Sequence, residues 1–130
     1  MCIFCKIIEK SIPATILYED QTVIAFLDIS QTTRGHTLVV PKEHFADIED
    51  IDDDTLAHLI KVVKKLSVKI KTKMGANGIN ILNNNGLAAG QTVEHLHFHI
   101  IPRYDEHDGF NCSFIAHQED LLAIANIINN

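Results

Sequence analysis

The stretch His95-Leu96-His97-Phe98-His99-Ile100-Ile101 sets three histidines at strict two-residue spacing, with large apolar residues between them. Period two is the mark of a strand, whose successive side chains point to opposite faces. Leu96, Phe98 and Ile100 are then expected to face a core, with all three imidazoles on the other side. Alternate residues of a strand lie roughly 6.6 Å apart, which puts the outer histidines roughly 13 Å from each other. One ion cannot easily take all three, although two neighbours could chelate one. A half-buried strand with outward polar residues is the bland reading. Three aligned imidazoles among the eight histidines of the chain point instead to chemistry.

The 130 residues suit one domain able to bury an adequate core, with a core over about 1–110 and a tail and helix over 111–130. A hydrophobic content of 46% with 22% charged residues is that of a folded chain rather than a disordered one. No basic region runs into an apolar stretch and cleavage site at the start, and nothing approaches a membrane span, so a cytoplasmic location is expected. The net charge of −6 argues against nucleic-acid backbone binding and leaves any nucleotide to a local pocket. Cys2, Cys5 and Cys112 are an odd set, better suited to thiols or metal ligands than to a disulfide framework.

Cys2-Ile-Phe-Cys5 is a C-x-x-C, a spacing shared by redox pairs and zinc knuckles. No strand precedes it as a thioredoxin-like motif requires, and structural zinc needs two further ligands. Thr15–Tyr18 and Val23–Leu27 read as a hairpin closed by Asp28-Ile29-Ser30, and Arg34–Pro41 as another strand, ended by proline. A long helix is expected from Asp52 to about Met74. Leu56, Leu59, Ile60, Val63, Leu66 and Ile70 form its apolar stripe, Asp52 to Asp54 its start and Gly75 its stop. Its six lysines read as a solvated face. Gly78–Leu82 is a further strand, and Gln118 to about Ile128 a short terminal helix. Between Asn83 and Val93 runs a polar, glycine-bearing loop whose amides and hydroxyls could meet phosphate oxygens.

His-φ-His-φ-His-φ-φ is the motif of the histidine triad (HIT) superfamily of nucleotide hydrolases and transferases, and this chain resembles it at every position. Further likenesses follow in the right order over residues 1 to about 110: Ala25-Phe-Leu-Asp-Ile-Ser30, Asn83 to Val93, and Ile100-Ile-Pro-Arg-Tyr104 with Asp108-Gly-Phe110. The resemblance implies an α+β, HIT-like fold with a mainly antiparallel sheet, one long and one C-terminal helix, and a two-fold homodimer. It implies His97 as nucleophile, His99 at the phosphate and His36 as a supporting histidine on the neighbouring strand. Asp28 would take the ribose hydroxyls, a task suited to a two-oxygen acceptor, although it also reads as a turn residue bonding nearby amides. Ile3, Phe4, Ile7, Phe26 and Ile29 match the wall around the base and are equally explicable as core. Asn83, Gly90, Gln91 and Thr92 match the phosphate-holding loop; Thr92 replaces the serine common in the eukaryotic branch and keeps the donor.

The same resemblance completes a structural Zn2+ site from Cys2, Cys5, His44 and His95, with no catalytic metal expected. The implied substrate is a small purine nucleotide, a nucleoside phosphoramidate, hydrolysed through a nucleotidyl-histidine. Dinucleoside polyphosphate hydrolysis and a binding module with vestigial activity are the alternatives. The transferase branch replaces the third histidine by glutamine, so His99 argues against it.

Overall fold

Val23-Ile-Ala-Phe-Leu27 and Leu38-Val-Val-Pro41 are unbroken apolar runs, and a strand buries such a run when both faces of its sheet are covered. The computed structural model, which describes residues 2–130, shows how. Strands β1 (Ile16–Glu19), β2 (Val23–Leu27), β3 (Thr37–Pro41), β4 (Gly78–Leu82) and β5 (Phe98–Arg103) form one antiparallel sheet in the order β1-β2-β3-β5-β4. Helix α2 (Asp53–Met74) covers one face, and the short helix α1 (Ile3–Ile8) lies against the other. Helix α3 (Leu121–Asn129) follows a long segment that belongs to no helix or strand.

The period-two alternation sorts the side chains between the faces. Val23, Ala25, Val39, Phe98 and Ile100 pack with Leu59, Val62, Val63, Leu66 and Ile70 of α2. Ile24, Phe26, Leu38 and Val40 pack with Phe4 and Ile7 of α1. His97 and His99 alternate with Phe98 and therefore lie on the α1 side. Asp52 caps α2 by accepting from the Thr55 amide at 3.0 Å, and Gly75 ends the helix in the left-handed conformation at φ 66°.

Three expectations are corrected. The strand carrying the triad begins at Phe98, not at His95. Residues 93–97 leave the ladder because the Leu96 amide bonds the Phe45 carbonyl at 2.7 Å and the His95 ring turns to the Pro41 carbonyl. Ile60, placed on the apolar stripe, is 43% exposed, while Val62 is buried in its stead, so the contact face of α2 is rotated from the one expected. Helix α1, where no element was expected, starts directly after Cys2, whose sulfur accepts from the Cys5 amide at 3.2 Å as a cap.

The hairpin is tied to α2 through Asp20. Its carboxylate accepts from the amides of Thr22 and Val23 at 2.7 and 2.8 Å, from the Tyr18 hydroxyl at 2.7 Å and from His58 Nε2 of α2 at 2.7 Å. Burial alone would raise this carboxyl. The Tyr18 hydroxyl, His58 and the two amides outweigh burial and hold it well below the usual carboxylate range. Asp20→Ala is expected to cost about 1–2 kcal/mol of unfolding free energy at neutral pH, read from urea titration. A carboxyl depressed in the folded state stabilises fully above its unfolded value of about 3.9 and loses that contribution as pH falls below it. The wild-type and variant stabilities therefore converge on acidification; a gap unchanged from neutral to strongly acid pH would contradict the assignment.

Candidate active site and metal centre

Backbone groups fix the proton on each imidazole, because a carbonyl can only accept and an amide N–H can only donate. His95 Nε2 lies 2.8 Å from the Pro41 carbonyl and so carries the proton, which leaves Nδ1 bare. His97 Nδ1 donates to the His95 carbonyl at 2.7 Å, which leaves Nε2 bare. His36 Nδ1 accepts from the Thr32 amide at 3.3 Å, so its Nε2 donates to His99 Nδ1 at 2.9 Å and the proton of His99 sits on Nε2. The site thus presents one unprotonated nitrogen, on His97, beside one N–H, on His99. Their ring centres are 5.0 Å apart.

Burial keeps these rings neutral. It lowers His97, against the opposing pull of the His95 carbonyl and of Asp28. It lowers His36 as well, against the charge of Asp28. His99 falls to about 4, from burial first and then from the neighbouring His97 and His36.

The bare Nδ1 of His95 faces sulfur. Cys2 Sγ is 3.4 Å from His95 Nδ1 and 3.6 Å from His44 Nδ1, and Cys5 Sγ is 3.6 and 3.3 Å from the same two atoms. A tetrahedral ion with metal–sulfur bonds of about 2.3 Å and metal–nitrogen bonds of about 2.0–2.1 Å has sulfur–nitrogen edges of roughly 3.5 Å. The four donors fit such an ion, and the Pro41 carbonyl supplies the outer bond that orients a histidine ligand. Without a cation, burial and the adjoining Cys2 sulfur push the Cys5 thiol up to about 11. Phe4 separates the two sites, its ring edge-on to His95 at 5.8 Å and to His97 at 5.1 Å.

The remaining expected residues divide into those that reach open space and those that hold the frame. Asp28 accepts from the Ser30 amide at 2.8 Å through one oxygen and brings the other to 3.7 Å from His36 Nε2. It stands at the end of a cleft of about 160 Å³ lined by Ile3, Ile7, Pro13, Phe26, Ile29 and Leu38. Ile29 is 96% exposed, whereas Phe4, Ile7 and Phe26 are buried and form the cleft floor. Asn83 donates to the His97 carbonyl at 3.0 Å and accepts from Asn85 at 2.6 Å. Gln91 spans its loop, accepting from the Gly86 amide and donating to the carbonyls of Ala46 and Val93. Thr92 is exposed, and Gly90 takes φ 94° at the end of the turn Leu87–Ala89.

The sequence reading missed the outer support. Arg103 donates to Asp108, to Asn80 and to the Phe110 carbonyl, bending the chain so that Gly109 lies against the Thr32 carbonyl. A Cβ at Gly109 would meet that oxygen at 2.2 Å, and the Thr32 amide is the donor that sets the His36 tautomer. The Arg-Tyr…Asp-Gly-Phe signature was the available signal.

The HIT-domain family profile matches residues 9–106. The chain belongs to the histidine triad family. A crystal structure of a HIT family protein from Bacillus anthracis is 48% identical and superposes with a TM-score of 0.92, covering 98% of this chain and 92% of that one. An adenosine 5′-monophosphoramidase of Schizosaccharomyces pombe is 40% identical over 132 residues, 99% of this chain and 96% of the relative. A zinc-bound histidine triad protein of Mycobacterium smegmatis is 33% identical at a TM-score of 0.78, covering 98% and 96% of the two chains.

Cobalt(II) added to the metal-free protein is expected to give the intense visible bands of a tetrahedral thiolate site at one ion per chain. Cys5→Ser should weaken the bands and lower the melting temperature of the metal-loaded form. A wild-type spectrum without those bands would rule out the four-donor centre.

Proposed function

We propose that the protein hydrolyses nucleoside 5′-phosphate derivatives, with purine nucleoside phosphoramidates as the substrate class, through a covalent intermediate on His97. The observation that carries this reading is the bare Nε2 of His97 set beside the protonated Nε2 of His99. Near neutral pH an imidazole nitrogen with its partner proton held by a carbonyl is a competent nucleophile toward phosphorus. The phosphoramidase name of the fission-yeast relative supports the substrate class.

In this scheme His97 Nε2 attacks the α-phosphorus and forms a phosphorus–nitrogen bond while the bond to the leaving amine breaks. That amine leaves with a proton drawn from solvent, while His99 Nε2–H donates to a phosphate oxygen and His36 donates to the other nitrogen of His99. Water then attacks phosphorus and loses its proton to solvent, and the bond to His97 breaks to release the nucleoside monophosphate. Asp28 holds the ribose hydroxyls at the end of the apolar cleft, which takes the base. The hydroxyl of Thr92 and the loop from Asn83 through Gly90 and Gln91 meet the phosphate oxygens, where donors aimed at developing charge contribute most.

A structural zinc ion is the metal proposed for Cys2, Cys5, His44 and His95, in keeping with their donor set and with the zinc-bound mycobacterial relative. It would fix the N-terminus against the segment that leads into β5, and no reaction step passes through it.

Release of AMP from adenosine 5′-phosphoramidate tests the scheme. His97→Ala, folded as judged by circular dichroism, should lose more than about 10⁴-fold in kcat, and His99→Ala about 10²- to 10³-fold. Equal turnover in wild type and His97→Ala would overturn the nucleophile.

A further inference from the structure

The face of the sheet turned away from the histidines holds a second cleft, of about 370 Å³, beside α2. Leu17 of β1, Leu27 of β2 and Leu66, Ile70 and Met74 of α2 give it apolar walls. It is larger than the 160 Å³ cleft beside Asp28 and lies within the roughly 300–1,000 Å³ that small ligands occupy. At the roughly 30 Å³ that a water molecule takes in the liquid, it holds on the order of a dozen non-hydrogen atoms.

Three cations stand around this cleft. Lys69 and Lys73 are one turn apart on α2, and Arg34 reaches the same cleft from the loop before β3. Among the described residues, no carboxylate lines the cleft and none of the three cations has an acidic partner. Lysines near a helix end answer its dipole, which accounts for Lys73 but not for Arg34. Like charges four residues apart on a helix repel, and Arg34 adds a third to the pair. The clustering is the more unusual in a chain of net charge −6. The other polar groups of the lining are already bonded to each other or to backbone. Gln31 Nε2 donates to the Asp28 and His36 carbonyls, and its Oε1 accepts from the Gly35 amide. A ligand therefore meets apolar walls along its length and positive charge at one end.

We propose that this cleft is a second ligand site, which takes a medium-chain aliphatic carboxylate. Its chain lies along Leu27, Leu66 and Ile70, and its carboxylate sits among Arg34, Lys69 and Lys73. An anion there relieves the repulsion between the three cations while the chain leaves water. The site shares no residue with the histidine row and lies on the opposite face of the sheet. It does border the loop of Asp28 and His36, because Gln31 in its wall joins the carbonyls of those two residues.

The test titrates decanoate, below its micelle concentration, into the full-length, metal-loaded protein and follows heat and NMR shifts. One decanoate per chain is expected, with a dissociation constant on the order of 100 µM and shifts at the Met74 methyl and the Gly35 amide. Lys69→Glu combined with Lys73→Glu changes two exposed side chains and should weaken binding more than about tenfold. Decylammonium, with the same chain and the opposite charge, should bind more than about tenfold more weakly than decanoate to the unaltered protein. Saturating AMP should leave the decanoate shifts in place. No saturable binding, equal affinity in the double variant, equal affinity for decylammonium, or displacement by AMP would each overturn the proposal. Binding to phosphatidylglycerol vesicles without uptake of free decanoate would overturn it too, in favour of a membrane surface.

Discussion

A single buried hydrogen bond, His95 Nε2 to the carbonyl of Pro41, organises the start of the triad. His95 is 0% exposed, and an imidazole buried without a partner would be costly. Meeting the end of β3 satisfies the ring and leaves its other nitrogen toward Cys2 and Cys5. The same turn keeps the His95 carbonyl out of the ladder and free to accept from His97 Nδ1. One contact therefore turns His95 Nδ1 toward the two sulfurs on one side and leaves His97 Nε2 unprotonated on the other, with Phe4 packed between them. Neither site needs a residue of the other to be charged.

The sheet supplies rigidity for this arrangement because its middle strands are dry on both faces. Val39 and Val40 are neighbours on β3 but belong to different cores, one under α2 and one under α1. A displacement of β3 costs packing on both sides at once. His36 precedes that strand and His99 lies on the next one, so their 2.9 Å bond joins two elements that have little freedom to move apart. On the far side, the turn that places Gly109 on the Thr32 carbonyl closes the loop carrying Asp28 from outside.

Much of this was legible in the sequence, for identifiable reasons. The helix α2 announces itself by its acidic start, its stop glycine and a periodic stripe; the face it buries is less legible, because Ile60 and Val62 are equally apolar and only the sheet's position chooses between them. His97 and His99 were readable from their spacing, since they flank a true strand residue. The bend at His95 was not, because it depends on a carbonyl 54 positions earlier and on the amide of Leu96 finding Phe45. Helix α1 is six residues long, too short to show a period, and is held by tertiary contacts through Phe4 and Ile7 rather than by propensity. Gln91 and Asn83 were readable as polar loop residues, but that they grip the loop's own backbone follows only from the loop's path.

The strand order has a consequence for how the molecule is made. β5 sits between β3 and β4, yet it is the last strand to be synthesised. Until residue 103 has emerged, β3 and β4 cannot belong to one sheet, and each keeps a bare hydrogen-bonding edge. Cys2 waits still longer in sequence terms, since its partner His95 lies 93 positions downstream. Closing so long a loop is entropically slow and must be repaid by contacts that form together. The nascent chain thus carries two reduced sulfurs and an open sheet through most of its translation, and assembly of the centre, the sheet and the histidine row is one late event rather than three successive ones.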